Sequence, residues 1–138
     1  MLSILLPVYK CSCVALVTEL QRQCMECGIA YEIIVADDGT MADTTNQYIV
    51  ERNKVIGQLE GVRYIIRLEN VGRSAIRNFL FSQSKGDCLL FIDGDLSLDN
   101  PDFIRRYTQA EGDVVVGGIK IGGNPEQWKG NLRYKYEC

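Results

Sequence analysis

The chain contains no histidine. That removes the commonest general base, the commonest zinc ligand and every Ser-His or Cys-His catalytic pair. It has no basic run either, and its formal net charge is −3, so a general nucleic-acid surface is not expected. No apolar run approaches the length of a membrane span. The opening stretch MLSILLPVYK lacks a basic region ahead of its apolar residues and a small-residue cleavage site after them. It reads as a first strand and not as a signal peptide. No internal repeat or low-complexity linker interrupts the sequence. What remains is 138 residues, 46 % hydrophobic and 24 % charged, an ordinary composition for one folded domain.

Six cysteines are present: Cys11, Cys13, Cys24, Cys27, Cys88 and Cys138. The first four, in the pattern C-x-C-x10-C-x2-C, resemble a zinc spacing. The alternative is simpler. Cys13, Val17, Leu20, Cys24 and Cys27 follow steps of four, three, four and three, which makes one apolar stripe of a helix with cysteine as a small hydrophobe. Reduced thiols without an export pattern point to the cytoplasm, or to a peripheral place at the inner face of the membrane.

Strand and helix patterns alternate along the chain. Strands are expected at 2–8, 31–36, 62–68, 88–92 and 113–118, and helices at 13–27, about 44–54 and 73–84. Ile76, Phe79, Leu80 and Gln83 lie along one side of the last of these. A further helix begins at Asn100, a cap residue, with Pro101 in its first position and Phe103, Ile104 and Tyr107 on its inner face. Such alternation means βαβ units and a mainly parallel sheet covered on both faces, an α/β architecture. The stretch 119–138 shows no clear period, and the sequence reads as part of a longer protein.

In open parallel sheets, ligands bind beyond the carboxyl ends of the strands. Pro7, Val8 and Tyr9 follow the first expected strand, and Asp37-Asp38-Gly39-Thr40 the second. Asn70, Gly72, Arg73 and Arg77 follow the third, and Asp93-Gly94-Asp95 the fourth. Arg73 and Arg77 sit four apart at a helix start, where cations oppose the macrodipole. A phosphate between them would resolve the conflict; pairing with surface acids is the alternative. Asp93 and Asp95 repel unless a cation joins them, and magnesium or manganese would suit their oxygen atoms. Otherwise they form a polar turn. The DDGT stretch is either a plain Asx turn or a carboxylate presented to a base N–H or sugar hydroxyl. Metal, arginines and acids together describe a nucleoside diphosphate site, with the metal helping the diphosphate to leave.

The segments SILLPVYK, YEIIVADDGT, NVGRSAIRN and GDCLLFIDGDL occur in that order with fitting gaps. Together they resemble the N-terminal half of a family 2 glycosyltransferase of the GT-A fold, over about residues 2–118. The resemblance implies a Rossmann-like three-layer α/β/α fold, mainly parallel, truncated at the C-terminus. Residues 1–118 would form the nucleotide-sugar-binding core, and 119–138 the incomplete start of an acceptor-side region. Such enzymes transfer a sugar from a nucleotide-activated donor, usually with inversion.

By the same resemblance, Pro7 and Tyr9 match the loop lining the nucleoside, and Asp37 and Asp38 the acids that hold base and ribose. Arg77 matches the arginine near the base or diphosphate. Asp93 would lie near the ribose or metal, and Asp95 would bind the metal, Mn or Mg, on the diphosphate. Arg73 joins this set from its spacing alone. The implied donor is a nucleotide-diphosphate sugar, UDP-sugar first, and the acceptor a saccharide or a lipid-linked molecule.

Two residues depart from the family pattern: Thr40 replaces a usual serine and Lys10 a common asparagine. The family's general base lies beyond this core. Glu126 and Glu137 are acids in that direction, but nothing ties either to the role, so no catalytic residue is identified. The chain alone is expected to bind donor and metal and to transfer poorly or not at all. Two rivals stand beside this reading. One is haloacid-dehalogenase-like phosphoryl transfer, with Asp93 as nucleophile and Asp95 as acid/base. The other is a non-catalytic nucleotide-binding module. An incomplete domain would also leave a sheet edge and apolar surface able to pair with a second copy.

Overall fold

The computed structural model describes residues 1–118. The chain forms one compact unit, Met1–Thr108, followed by a second, Gln109–Cys138. The first unit is built on four parallel strands in the order β3-β2-β1-β4. These are β1 (Leu2–Val8), β2 (Tyr31–Asp38), β3 (Val62–Arg67) and β4 (Cys88–Phe91). Helices α1 (Val14–Cys27), α2 (Gln47–Asn53), α3 (Arg73–Gln83) and α4 (Phe103–Gln109) connect or follow them.

Side-chain alternation along the strands divides the core into two layers. Leu2, Ile4, Leu6 and Val8 of β1 join Ile33 and Val35 of β2 on one face, packed with Leu16, Val17, Leu20 and Cys24 of α1 and Ile104 of α4. Leu5, Ile34 and Ala36 take the other face, under Ile76 and Leu80 of α3. Both faces of β1 and β2 are therefore dry, which is why their sequences read as nearly continuous apolar runs. The result is the three-layer α/β/α arrangement that the alternating pattern predicts.

Several local expectations are met for visible reasons. The stripe of α1 is buried, with Val17, Leu20 and Cys24 all at 0 % exposure, and Gly28 ends the helix in the left-handed conformation. Asn100 Oδ1 accepts a bond from the Asp102 amide, 2.9 Å, ahead of α4. Two expectations differ. Helix α2 begins at Gln47, later than the pattern suggests, because Asp43 holds Thr45 and Asn46 in a turn of its own. The second concerns residues 113–118, which form no strand; Val114 and Val116 are 84 % and 87 % exposed. A run of valines becomes a strand only beside an edge that pairs its backbone and covers its side chains. Among the described residues nothing pairs with it. No described helix is long and apolar enough to cross a membrane. Glu126, Glu137 and the whole 119–138 stretch lie outside the described residues.

Candidate functional site

The first two crossovers carry the chain outward from β1 to β2 and β3, and the third returns it to the opposite side of β1 as β4. The carboxyl ends of β1 and β4 therefore bound the place where strand order reverses, where open α/β sheets bind ligands. Pro7 and Tyr9 lie on one side of it and Asp93-Gly94-Asp95 on the other. The two are tightly joined. The Gly94 amide donates to the Pro7 carbonyl, 3.1 Å. A Cβ at Gly94 would lie 2.1 Å from Val8 Cγ1. Only glycine lets the acidic tip lie against β1, which answers why the two acids are separated by that residue.

The guanidinium of Arg77 reaches the same tip. Its Nη2 lies 2.5 Å from Asp93 Oδ1, and its Nη1 donates to the Arg73 carbonyl, 3.2 Å. The helix that follows β3 thus reaches the exit of β4. Arg73, the first residue of α3, is exposed and makes no ion pair among the described residues.

The consecutive acids Asp37 and Asp38 separate, because neighbouring side chains of a strand point to opposite faces. Asp37 follows Ile33 and Val35 onto the α1 face; Asp38 follows Ile34 and Ala36 onto the α3 face. Both are buried. Asp37 Oδ1 accepts from the Thr40 amide, 2.8 Å, while Oδ2 has no partner. Burial pushes its carboxyl above the usual range, against the bonds from Thr40. Both oxygens of Asp38 are engaged, Oδ1 by the Val71 amide at 2.8 Å and Oδ2 by the Gly72 amide at 3.1 Å. Gly39 lets these loops touch: its φ is 90°, and a Cβ there would lie 2.4 Å from the Asn70 nitrogen.

Around the β1 exit the structure adds residues that the sequence does not mark as functional. Lys10 adopts a left-handed φ of 53°, and its amide donates to Thr40 Oγ1, 2.9 Å. Its Nζ lies 3.0 Å from Asp43 Oδ2 and 5.0 Å from the centre of the Tyr9 ring. The departure from asparagine at this position is the only signal, since asparagine enters that backbone region more readily than lysine. Asn53 ties the following loop down, accepting from the Cys13 amide and donating to the Cys11 carbonyl. Tyr9 keeps 44 % of its surface exposed. Burial raises the Cys11 thiol, and the charges of Asp95 and Asp37 add to that, so both acids act on the same loop.

The donor set suits a hard divalent ion. Asp93 and Asp95 are exposed carboxylates on one short tip. Among the described residues, no group of three or more Cys, Asp or Glu side chains is placed to hold a metal by itself. An ion here would complete its shell with water and substrate oxygens, as magnesium and manganese do with phosphates. Among the described cysteines, Cys13 and Cys24 are core residues whose thiols burial pushes up to about 12, which works against the thiolate that a zinc ion needs.

The chain is similar to known proteins in sequence and in fold. Undecaprenyl-phosphate 4-deoxy-4-formamido-L-arabinose transferase of Pseudomonas aeruginosa strain LESB58 is 30 % identical over 135 residues, 94 % of this chain and 38 % of the relative. The enzyme of the same name from Aeromonas hydrophila is 29 % identical over 128 residues, 87 % of this chain and 37 % of the relative. The chain thus spans under two fifths of the curated relatives it matches. Among solved structures, the mannosyltransferase PcManGT from Pyrobaculum calidifontis, in complex with GDP-Man and Mn2+, superposes with a TM-score of 0.57. Its identity is 16 %, over 96 % of this chain and 38 % of that one. S. aureus TarS 1-349 gives a TM-score of 0.53 at 22 % identity, over 78 % of this chain and 31 % of that one. Both likenesses are of fold, the GT-A type. The family model for glycosyl transferase family 2 matches residues 3–136, and the chain belongs to that family.

Proposed function

We propose that this chain supplies the donor-binding part of an inverting, metal-dependent glycosyltransferase that takes its sugar from a nucleotide diphosphate. The observation that carries this reading is the convergence of Arg77 with the Asp93-Gly94-Asp95 tip at the point where strand order reverses. Tyr9 offers an exposed ring for a nucleobase to stack on. Asp37 Oδ2, a buried acceptor without a partner, suits a base N–H once the Tyr9–Cys11 loop admits one. Arg77 faces the diphosphate, and Asp95 and Asp93 hold the divalent ion. When bound, that ion neutralises the diphosphate and makes it a better leaving group.

UDP-sugar is the donor we favour; the GDP-mannose bound to the mannosyltransferase of like fold makes GDP-sugar the competitor. The relatives' names point to undecaprenyl phosphate, so the acceptor is proposed to be a lipid-linked phosphate, with the protein working at a membrane surface. The residues that bind acceptor and remove its proton belong to the part beyond the core, from about residue 119. Phosphoryl transfer through Asp93 is the competing reading, and hydrolysis of a phosphomonoester by this chain would favour it.

Calorimetric titration with UDP and GDP, with and without Mn2+, tests the reading. Micromolar binding that needs Mn2+ and is lost in Asp95→Ala is the expected result. Binding of neither nucleotide, or binding indifferent to both Mn2+ and Asp95, overturns it.

A further inference from the structure

We propose that Gln23 is a positioning residue for the acidic tip: from the buried side of α1 it fixes the far end of the segment that begins with Asp93-Gly94-Asp95. Gln23 is a polar side chain among the buried apolar residues Val17, Leu20 and Cys24 of α1, and it is 1 % exposed. A buried amide is costly unless its hydrogen-bonding groups find partners. Its Nε2 donates to the Asn100 carbonyl and to Glu19 Oε1, both at 2.9 Å. Its Oε1 accepts from the Ile104 amide, also at 2.9 Å. Glu19 stands one turn back on α1, so it decides which way the amide faces. Gln23 therefore grips the start of α4 at two points. One is a carbonyl ahead of the helix; the other is an amide of the first turn, a group that a helix leaves without an internal partner.

Between the tip and this grip the chain forms neither helix nor strand. Its side chains nonetheless alternate. Ile92, Gly94, Leu96, Leu98 and Asn100 are buried or half-buried, while Asp93, Asp95, Ser97 and Asp99 are exposed. With a period of two, a slip of one residue would turn the acids inward and the leucines out. The register is therefore what keeps both carboxylates at the surface. Leu96 and Leu98 pack against the core on the α1 side, but apolar contact is non-directional and sets register weakly. Directional bonds set it at the two ends. At the near end the Gly94 amide donates to the Pro7 carbonyl, and the Leu96 amide to the Asp93 carbonyl at 3.2 Å. At the far end the bonds are those of Gln23.

The proposal rests on the donor-site reading, so its test has one arm that needs no nucleotide. Gln23→Met keeps the length of the side chain in an apolar setting, which favours folding. In that variant, amide hydrogen exchange at Ile104, Leu96 and Gly94 should speed up about tenfold or more, while the Ile76 amide at the start of α3 changes less than about twofold. Exchange that quickens at Ile104 alone, or equally at Ile76, overturns the proposal, because Gln23 would then anchor α4 only or support the fold in general. In the second arm, UDP is titrated at a series of Mn2+ concentrations. The Mn2+ needed for half-maximal binding should rise about three- to tenfold, the low end of what losing support behind a metal ligand costs. An unchanged Mn2+ requirement overturns the proposal too, since a loss of stability alone would leave it where it was. Should Gln23→Met not fold, Glu19→Ala takes its place, removing only the acceptor that orients the amide. Exchange at Gly94 and Leu96 should then rise about twofold or more, and no rise overturns the proposal. If the unaltered protein shows no Mn2+-dependent UDP binding, the donor reading fails, while exchange at Gly94 and Leu96 still decides whether Gln23 holds the tip.

Discussion

Arg77 Nη2 lies 2.5 Å from Asp93 Oδ1; Arg77 stands on α3, the helix packed over β1 and β2, and Asp93 follows β4, the strand on the other side of β1 from β2. The pair gives the acidic tip its protein-borne countercharge and brings a guanidinium to where a diphosphate would lie. With side chains 35 % and 54 % exposed, it is half in water, so its contribution to folding is about 0–1 kcal/mol. Its weight in binding should be greater. Arg77→Ala is expected to shift the melting midpoint by little and to weaken UDP binding in Mn2+ by about tenfold or more. Calorimetry on both quantities checks this; equal, small effects on both would make the pair a surface ornament.

Asp37 carries a buried acid with a raised pKa, and the direction sets a pH dependence. The folded state prefers the protonated form. Stability from that preference is complete below the ordinary carboxylate pKa and is lost as pH rises through the elevated one. At neutral pH the buried charge is a burden. Asp37→Asn should therefore raise thermal stability at pH 7, with the gain shrinking toward zero as pH falls below about 4. The same variant should lose base discrimination between UDP and GDP. Melting curves across pH would refute the burial account if the gain were constant.

Gly94→Ala places a Cβ 2.1 Å from Val8 Cγ1 and 3.1 Å from the Pro7 carbonyl oxygen. Val8 is buried, so the acidic tip must move. Denaturant unfolding should show a loss of about 1–3 kcal/mol, the usual range for overpacking. Metal-dependent nucleotide binding should fall further than the fold does, since Asp93 and Asp95 move with the glycine.

Lys10→Asn relieves a left-handed backbone at the expense of the Asp43 pair and the contact with the Tyr9 ring. Asparagine suits that conformation better by up to about 1–2 kcal/mol, so the fold should be unharmed or slightly firmer. Freed from Lys10, the Tyr9 ring should hold a base less well. A drop of about two- to fivefold in UDP affinity, on the scale of one cation–π contact, is the expected result. Tighter binding would show that Lys10 obstructs the site.

Much of this was legible in the residues alone. The apolar runs of β1 and β2, the stripe of α1 and the Asn100-Pro101 start are local periodicities and caps, which depend on neighbours along the chain. The same locality placed Tyr9, Asp37 and Asp93 at carboxyl ends of strands and Arg77 on the helix that follows one. It failed for 113–118, where three valines look like a strand and a strand needs a partner.

Strand order, by contrast, belongs to the tertiary structure. Nothing local says that β4 returns to the far side of β1, and it is that return which brings Arg77 to Asp93. Nor could spacing reveal that Asp38 would bond to a turn 33 residues away while one oxygen of Asp37 found no partner. Hydrogen-bond partners distant in sequence are chosen by packing, because a buried polar atom takes whichever group the fold leaves beside it. The sequence by itself determined the elements and the edge at which the polar residues gather; the packing decided which of them meet.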